Sequence, residues 1–215
     1  MAPLKRILLA DDHQIVLDGL CRLLAEEFDI CATAMDGHQL IERARELQPD
    51  VIVADISLPL LNGIDAVRKL REEGLAAKVV FLTMHPDITY VSRALAAGAS
   101  AYVLKHAASD ELISAIGVAL RGGQFLSPQL CTPAIDELQN HTRRHLKQTI
   151  ELTQRQREVL QLLAEGKSAK EIGALLEISS RTVETHKYKM MDDLGVKSTA
   201  QLVQHAIKLG LVAPQ

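Results

Sequence analysis

Three acids, a hydroxyl and a lysine, far apart in the chain, all stand at the ends of short apolar runs. Asp11 and Asp12 follow Arg6–Ala10, Asp55 closes Val51–Asp55, Thr83 closes Val79–Thr83, and Lys105 follows Ser100–Leu104. A charge at the end of a buried run is costly unless something compensates it. A cluster of carboxylates suits a hard divalent cation such as Mg²⁺, which takes one or two carboxylates and keeps several waters. A lysine beside such a cluster neutralises one acid and can later hold an anion as a point charge. A threonine hydroxyl can donate to an incoming oxygen. Together these groups suit phosphoryl transfer onto a carboxylate, with Asp55 as the nucleophile.

Groups so far apart need a scaffold that brings their strand ends together. The apolar runs Arg6–Ala10, Ile30–Ala34, Val51–Asp55, Val79–Thr83 and Ser100–Leu104 alternate with segments of helical period at His13–Glu27, Gly37–Leu47, Ile64–Glu73, Asp87–Ala97 and Ser109–Arg121. Five strands alternating with five helices predict an α/β fold, a doubly wound five-stranded parallel sheet of flavodoxin-like type. Ligands of such sheets bind beyond the carboxyl ends of the strands, where all five polar groups converge. A dinucleotide site would need a glycine-rich turn after the first strand. Here that turn reads Asp11-Asp12-His13-Gln14 and repels phosphate unless a cation intervenes.

The pattern breaks at Gly122–Pro128, which reads as the exit from this domain. Thr132-Pro133 then looks like a helix start, and the apolar spacing beyond it predicts a linker helix over about 133–149. The remaining residues form a second, smaller all-α domain. Thr153–Gln156, Ser168–Glu171 and Ser198–Gln201 each match a capping box, and Gly166, Gly195 and Gly210 mark helix ends. The expected division is 1–124, 125–150 for a partly helical linker, and 151–215.

Helices near 169–177 and 181–194, joined by Ile178-Ser179-Ser180, have the layout of a helix-turn-helix, whose second helix enters the major groove. Val183, His186, Met190 and Leu194 fall on one side and are expected to pack on Ile172, Leu175 and Leu176, with His186 a hydrogen-bonded core histidine. Glu184 can accept from a cytosine amino group and Thr185 can meet a thymine methyl. Arg181, Lys187 and Lys189 are placed to hold phosphates, and Tyr188 shares the reading face.

Composition agrees with a two-domain globular protein. The chain has 215 residues, 47% hydrophobic and 24% charged. Its net charge of −3 is uneven: residues 151–215 carry nine Lys and Arg against eight Asp and Glu, +1, leaving −4 for residues 1–150. No apolar run is long enough for a bilayer. Asp11 and Asp12 interrupt the N-terminal apolar stretch, against a signal peptide, so a cytoplasmic protein is expected. Cys21, Cys31 and Cys131 fit no metal-ligand spacing and read as free thiols.

The segments "ILLADDH", "VIVADISLPLLNGID", "VVFLTMH" and "AYVLKHA" resemble the signature segments of bacterial receiver domains. The resemblance covers about residues 4–121. It implies that Asp55 is phosphorylated by a sensor histidine kinase, and that Asp12, Asp55 and the carbonyl of Ser57 bind Mg²⁺ with Asp11 helping through water. It also implies that Lys105 pairs with the acyl phosphate, and that Thr83 and Tyr102 form the switch pair, Tyr102 turning inward behind Thr83. Ser57 and His85 stand where the family tunes phosphoryl lifetime. Two departures are His106 in place of a common proline and Ser100-Ala101 in place of a glycine before the switch aromatic.

The segment from Leu152 to Val212 is similar to LuxR-type DNA-binding domains from end to end. The pair of domains resembles the NarL/FixJ response regulators. That implies a non-enzymatic transcription factor whose phosphorylation controls dimerisation and sequence-specific binding to double-stranded DNA. Glu184, Thr185 and Tyr188 match the family's base-contacting positions, and the final helix, about 199–209, matches its dimer contact. Two rivals use the same residues: a constitutive regulator with an idle receiver, and a phosphatase with a protein-docking module. The intact acid cluster argues against the first, and the lack of a general acid against the second.

Overall fold

The computed structural model of the protein describes residues 3–130 and 152–212. They form two units, each considered separately below. The linker helix expected over 133–149, and Cys131, lie outside the described residues.

The first unit alternates strand and helix: β1 (Arg6–Ala10), α1 (Gln14–Leu24), β2 (Asp29–Ala34), α2 (Gly37–Leu47), β3 (Val51–Ala54), α3 (Gly63–Glu72), β4 (Lys78–Thr83), α4 (Ile88–Ala96), β5 (Ala101–Leu104) and α5 (Ala108–Leu120). All strands pair in parallel, in the order β2-β1-β3-β4-β5, with a further strand, β6 (Phe125–Leu126), beyond β5. The side chains of the central strands alternate between two cores. Leu8, Ile52, Phe81 and Tyr102 face α2, α3 and α4. Ile7, Val53, Leu82 and Val103 face α1 and α5. Both faces are covered, so the strands read as unbroken apolar runs.

The order reverses between β1 and β3, which makes their carboxyl ends the topological switch point of the sheet. Asp11 leaves β1 there and Asp55 leaves β3 there. The Asp55 amide donates to the Ala10 carbonyl (2.8 Å), which locks the two exits together.

The sheet has six strands rather than five. β6 (Phe125–Leu126) pairs with β5 inside the stretch expected to lead out of the domain. Side-chain chemistry holds it. The hydroxyl of buried Ser127 accepts from the Leu104 amide (3.0 Å) and donates to the Glu111 carboxylate. The Ser127 amide donates to the Tyr102 carbonyl (3.0 Å). Leu130, in a short 3₁₀ turn over Pro128–Leu130, then enters the core.

Among the described residues the second unit has four helices: α6 (Gln154–Ala164), α7 (Ala169–Leu175), α8 (Ser180–Asp193) and α9 (Thr199–Lys208). Thr153 and Ser168 form complete capping boxes with Gln156 and Glu171. The third expected box is only half formed. Ser198 accepts from the Gln201 amide, but the Gln201 side chain takes the Lys197 amide (2.7 Å) instead of closing on its cap. The turn between α7 and α8 is tight. A Cβ on Gly173 would come 2.7 Å from the Ile178 carbonyl oxygen, so glycine is required for the two helices to meet.

Candidate functional site

Asp11 and Asp55 are 1% and 5% exposed. They share one cation. Lys105 Nζ lies 2.6 Å from Asp11 Oδ2 and 2.7 Å from Asp55 Oδ2. Burial would draw this lysine down, but the Asp55 and Asp11 carboxylates outweigh it and hold the ammonium above the ordinary lysine value. Two carboxylates against one ammonium leave a net negative charge at the switch point.

The other carboxylate oxygens are held by main-chain donors. Asp11 Oδ1 accepts from the His13 amide (3.0 Å), and Asp55 Oδ1 accepts from the Ser57 amide (3.2 Å). The N-terminus of α1 has no side-chain cap, so its partial positive charge meets this acidic corner. Asp12 is the more open acid, and its Oδ1 lies 2.8 Å from His13 Nδ1. Asp11, Asp12 and His13 can present one ligand atom each within 4.8 Å of one another. Carboxylate oxygens predominate, the donor set of a hard divalent cation, so the residues fit Mg²⁺.

The loop that carries Asp55 is pinned from behind. A Cβ on Gly63 would come 2.1 Å from the Asp55 carbonyl oxygen, and the Gly63 amide donates to the Ile56 carbonyl (2.8 Å). Only glycine lets α3 start this close to the phosphoryl-acceptor candidate. Leu60, within the same loop, takes a left-handed backbone (φ 65°), a strain kept at the site.

Thr83 and Tyr102 are fully buried. The Thr83 hydroxyl accepts from the His85 amide (3.3 Å), and the Tyr102 hydroxyl donates to the His85 carbonyl (2.6 Å). Tyr102 thus occupies the inward position that the resemblance assigned to the switched form. Burial pushes its phenol far above the ordinary value, with Tyr90 and Asp55 adding to the effect, so it is a donor at any working pH. The His85 imidazole Nε2 lies 2.8 Å from Ser57 Oγ, and its ring stacks on Tyr90 with centroids 4.4 Å apart and planes 7° from parallel. Burial pushes His85 down and outweighs the pull of Asp55 and Asp87.

The structure therefore brings Asp11, Asp55 and Lys105 into direct contact, with Ser57 bonded to Asp55. Thr83 and Tyr102 meet at the His85 backbone. His13 and Tyr90 were not singled out from the sequence. His13 follows Asp11-Asp12 directly, so its neighbours were a visible signal. Tyr90 had none, because its partner lies across the turn into α4.

In the second unit, α8 carries the candidate DNA contacts. Tyr188 is 63% exposed, while the Lys187 side chain is only 17% exposed. Lys187 pairs with Glu184 (2.5 Å) and lies over the Tyr188 ring, 5.0 Å from its centroid. The Thr185 hydroxyl donates to the Arg181 carbonyl (2.9 Å). Arg181 and Lys189 are exposed. Val183 and Met190 are buried on the opposite face, with Ile172 of α7 and Leu176, just past its end, also buried. Leu175, expected in that packing, is instead 45% exposed at the last position of α7. His186 is half-buried rather than enclosed, beside the fully buried Val183 and Met190.

Residues 7–117 match the family model described as response regulator receiver domain, and residues 151–206 match that of bacterial regulatory proteins, luxR family. The chain belongs to the two-component response regulators with a LuxR-type DNA-binding domain. These are transcription regulators, not enzymes. The transcriptional regulatory protein MctR of Rhizobium johnstonii is 37% identical over 214 residues, covering 98% of this chain and 97% of that protein. The oxygen regulatory protein NreC of Staphylococcus carnosus is 35% identical over 214 residues, covering 96% and 99%. Among solved structures, the Salmonella typhimurium response regulator RcsB superposes with a TM-score of 0.65 at 25% identity, covering 96% of this chain and 98% of that one. RcsB has also been solved as dimers bound to DNA. Among the described residues no helix is long and apolar enough to cross a membrane.

Proposed function

We propose that Asp55 accepts a phosphoryl group from a sensor histidine kinase, and that this controls dimerisation and DNA binding. The observation that carries the proposal is the single ammonium of Lys105 shared by Asp11 and Asp55. A nucleophilic carboxylate must be ionised, fixed and close to a cation that can follow the incoming charge. Asp55 Oδ1 is fixed by the Ser57 amide and Oδ2 by Lys105. An Asp55 oxygen attacks phosphorus, the bond to the kinase histidine breaks, and the electron pair leaves with that nitrogen.

Asp11, Asp12, Asp55 and the Ser57 carbonyl would hold Mg²⁺, with His13 beside them. Bound there, the cation supplies charge neutralisation of the transferring phosphoryl oxygens. Lys105 then pairs with the acyl phosphate, Thr83 donates to one of its oxygens, and Tyr102 fills the space behind Thr83. Residues 1–124 form the receiver with 125–130 joined to its sheet edge, 125–150 include the linker, and 151–215 form the DNA-binding domain. The protein acts in the cytoplasm.

The DNA-bound form is a homodimer on double-stranded DNA, with α8 in the major groove and half-sites about ten base pairs apart. Glu184, Thr185 and Tyr188 read bases, while Arg181, Lys187 and Lys189 hold phosphates. Glu184 and Lys187 must part for both to act.

Acetyl phosphate and Mg²⁺ should label the wild type, leave Asp55→Asn unlabelled, and raise affinity for a duplex selected from random sequence. Equal labelling of Asp55→Asn would overturn the assignment of Asp55. Affinity that ignores salt would overturn phosphate contact by α8.

A further inference from the structure

The contacts around His85 form a chain that reaches from Asp55 to α4. Ser57 bonds Asp55 through its amide and His85 through its hydroxyl. His85 in turn touches Thr83 and Tyr102 through its backbone and Tyr90 through its ring. Ser57 follows β3 and His85 follows β4, and these strands are neighbours in the sheet. The side-chain bridge therefore closes between two loops on the β4 side of Asp55.

Residues 84–87 form no regular element, and neighbouring Met84 is exposed. A single neutral hydrogen bond favours the bridged arrangement by roughly two- to tenfold, which rotamer freedom of both side chains largely offsets. Tyr90 differs. It sits in the first turn of α4, is buried on the core side, and presents a flat face to the imidazole. A parallel aromatic stack contributes a further factor of roughly two to ten. It is the contact that tips the bridge toward closed.

We propose that Tyr90 is a positioning residue for phosphoryl lifetime: by stacking on His85 it holds the imidazole on Ser57 and bars hydrolytic water from Asp55. This rests on the assignment of Asp55 as phosphoryl acceptor. The resemblance marks Ser57 and His85 as tuning positions; the structure adds the residue that clamps them. The step under control is hydrolysis. A water oxygen bonds to phosphorus, the bond from phosphorus to the Asp55 oxygen breaks, Asp55 returns as carboxylate, and the water protons leave with inorganic phosphate and solvent. In-line attack needs an open approach opposite the breaking bond. An ordered bridge at the mouth narrows it.

The test follows loss of the phosphoryl group after full-length protein is labelled with acetyl phosphate and Mg²⁺ and excess reagent is removed. Tyr90→Phe, which keeps the ring, should match wild type. Tyr90→Leu should lose phosphate roughly two- to tenfold faster. In a Ser57→Ala background, with no hydroxyl for the imidazole, Tyr90→Leu should add nothing. An unchanged rate in Tyr90→Leu, equal acceleration in Tyr90→Phe, or full additivity with Ser57→Ala would each overturn the proposal. Should Tyr90→Leu fail to fold, Tyr90→Met takes its place under the same criteria. The wild type supplies a second readout: the His85 ring protons should resonate upfield from the stack, and ordinary shifts would also overturn it. Absence of labelling in wild type would instead sink the acceptor assignment, and the inference with it, which separates that failure from the others.

Discussion

Replacing Lys105 with methionine removes the one cation between two buried acids and keeps the length of the side chain. The Asp11 and Asp55 oxygens lie 2.6 Å and 2.7 Å from the same nitrogen, so they are within about 5 Å of each other. At an effective dielectric of about 20, two unit charges at that separation repel by about 3 kcal/mol. Both carboxylates are shielded from solvent, so screening by salt is weak. Deleting one partner of a buried ion pair falls in the same range, about 3–5 kcal/mol. Lys105→Met should therefore destabilise the receiver by about 3 kcal/mol in EDTA at neutral pH.

Amide hydrogen exchange in β1 and β3 of the full chain reads this unit without interference from the second. Mg²⁺ should restore most of the loss, because the cation replaces the missing charge; a site held at about a hundred times its dissociation constant gains about 2.7 kcal/mol. The pH dependence has a fixed sign. Lys105 is raised in the folded protein, so its contribution is complete below the unfolded lysine value of about 10.4 and is lost as pH rises through the folded value. The gap between wild type and variant should thus close as pH rises through the folded lysine value. A loss below about 1 kcal/mol in EDTA, or a loss that Mg²⁺ leaves untouched, would refute the view that Lys105 is the charge that makes the acid pair tolerable.

Ser127→Ala deprives the Leu104 amide of its acceptor and Glu111 of a donor, and should cost about 1–3 kcal/mol, seen as faster exchange in β5. Gly63→Ala places a Cβ against the Asp55 carbonyl oxygen, and the resulting shift of the nucleophile by a fraction of an ångström or more should slow labelling by acetyl phosphate by up to about a hundredfold. Lys189→Ala should reduce the salt slope of duplex binding by about one, whereas Tyr188→Ala should leave the slope and flatten the preference for the selected sequence.

The first unit was legible because its signals are redundant. Five apolar runs, four of them ending on a polar group, state both the sheet and the edge where chemistry occurs. β6 was not legible. Two residues carry no periodicity, and what pairs them to β5 is the Ser127 hydroxyl bonding to Leu104 and Glu111, contacts between residues distant in sequence. The capping-box pattern at Ser198–Gln201 illustrates a different limit. The pattern gives the cap correctly, but the glutamine has two amides within reach and takes the one on Lys197. His85 was visible as a flank of the site, yet its stack on Tyr90 follows from the turn between β4 and α4. Leu175 was misplaced because helical projection drew the apolar side too wide: Leu175, the last residue of α7, is 45% exposed while Leu176 beside it is buried.

β5 joins these observations. It carries Tyr102 in its interior and Lys105 directly beyond its end, so both the proposed switch residue and the cation depend on its position. Its inner edge pairs with β4, which ends in Thr83. Its outer edge is held by β6 and by both polar groups of Ser127, one on the Tyr102 carbonyl and one on the Leu104 amide. His106 adds a bond to Gln129 (2.7 Å). A phosphoryl group on Asp55 would replace that carboxylate with a more highly charged anion farther out, and Lys105 would shift toward it while keeping Asp11 as its other partner. Close-packed strands do not deform gradually; they move as units between discrete arrangements. A shift of Lys105 would therefore be felt along β5 and, through Ser127, at residues 125–127, because the edge strand is bonded to β5 by its own ladder and by both polar groups of Ser127.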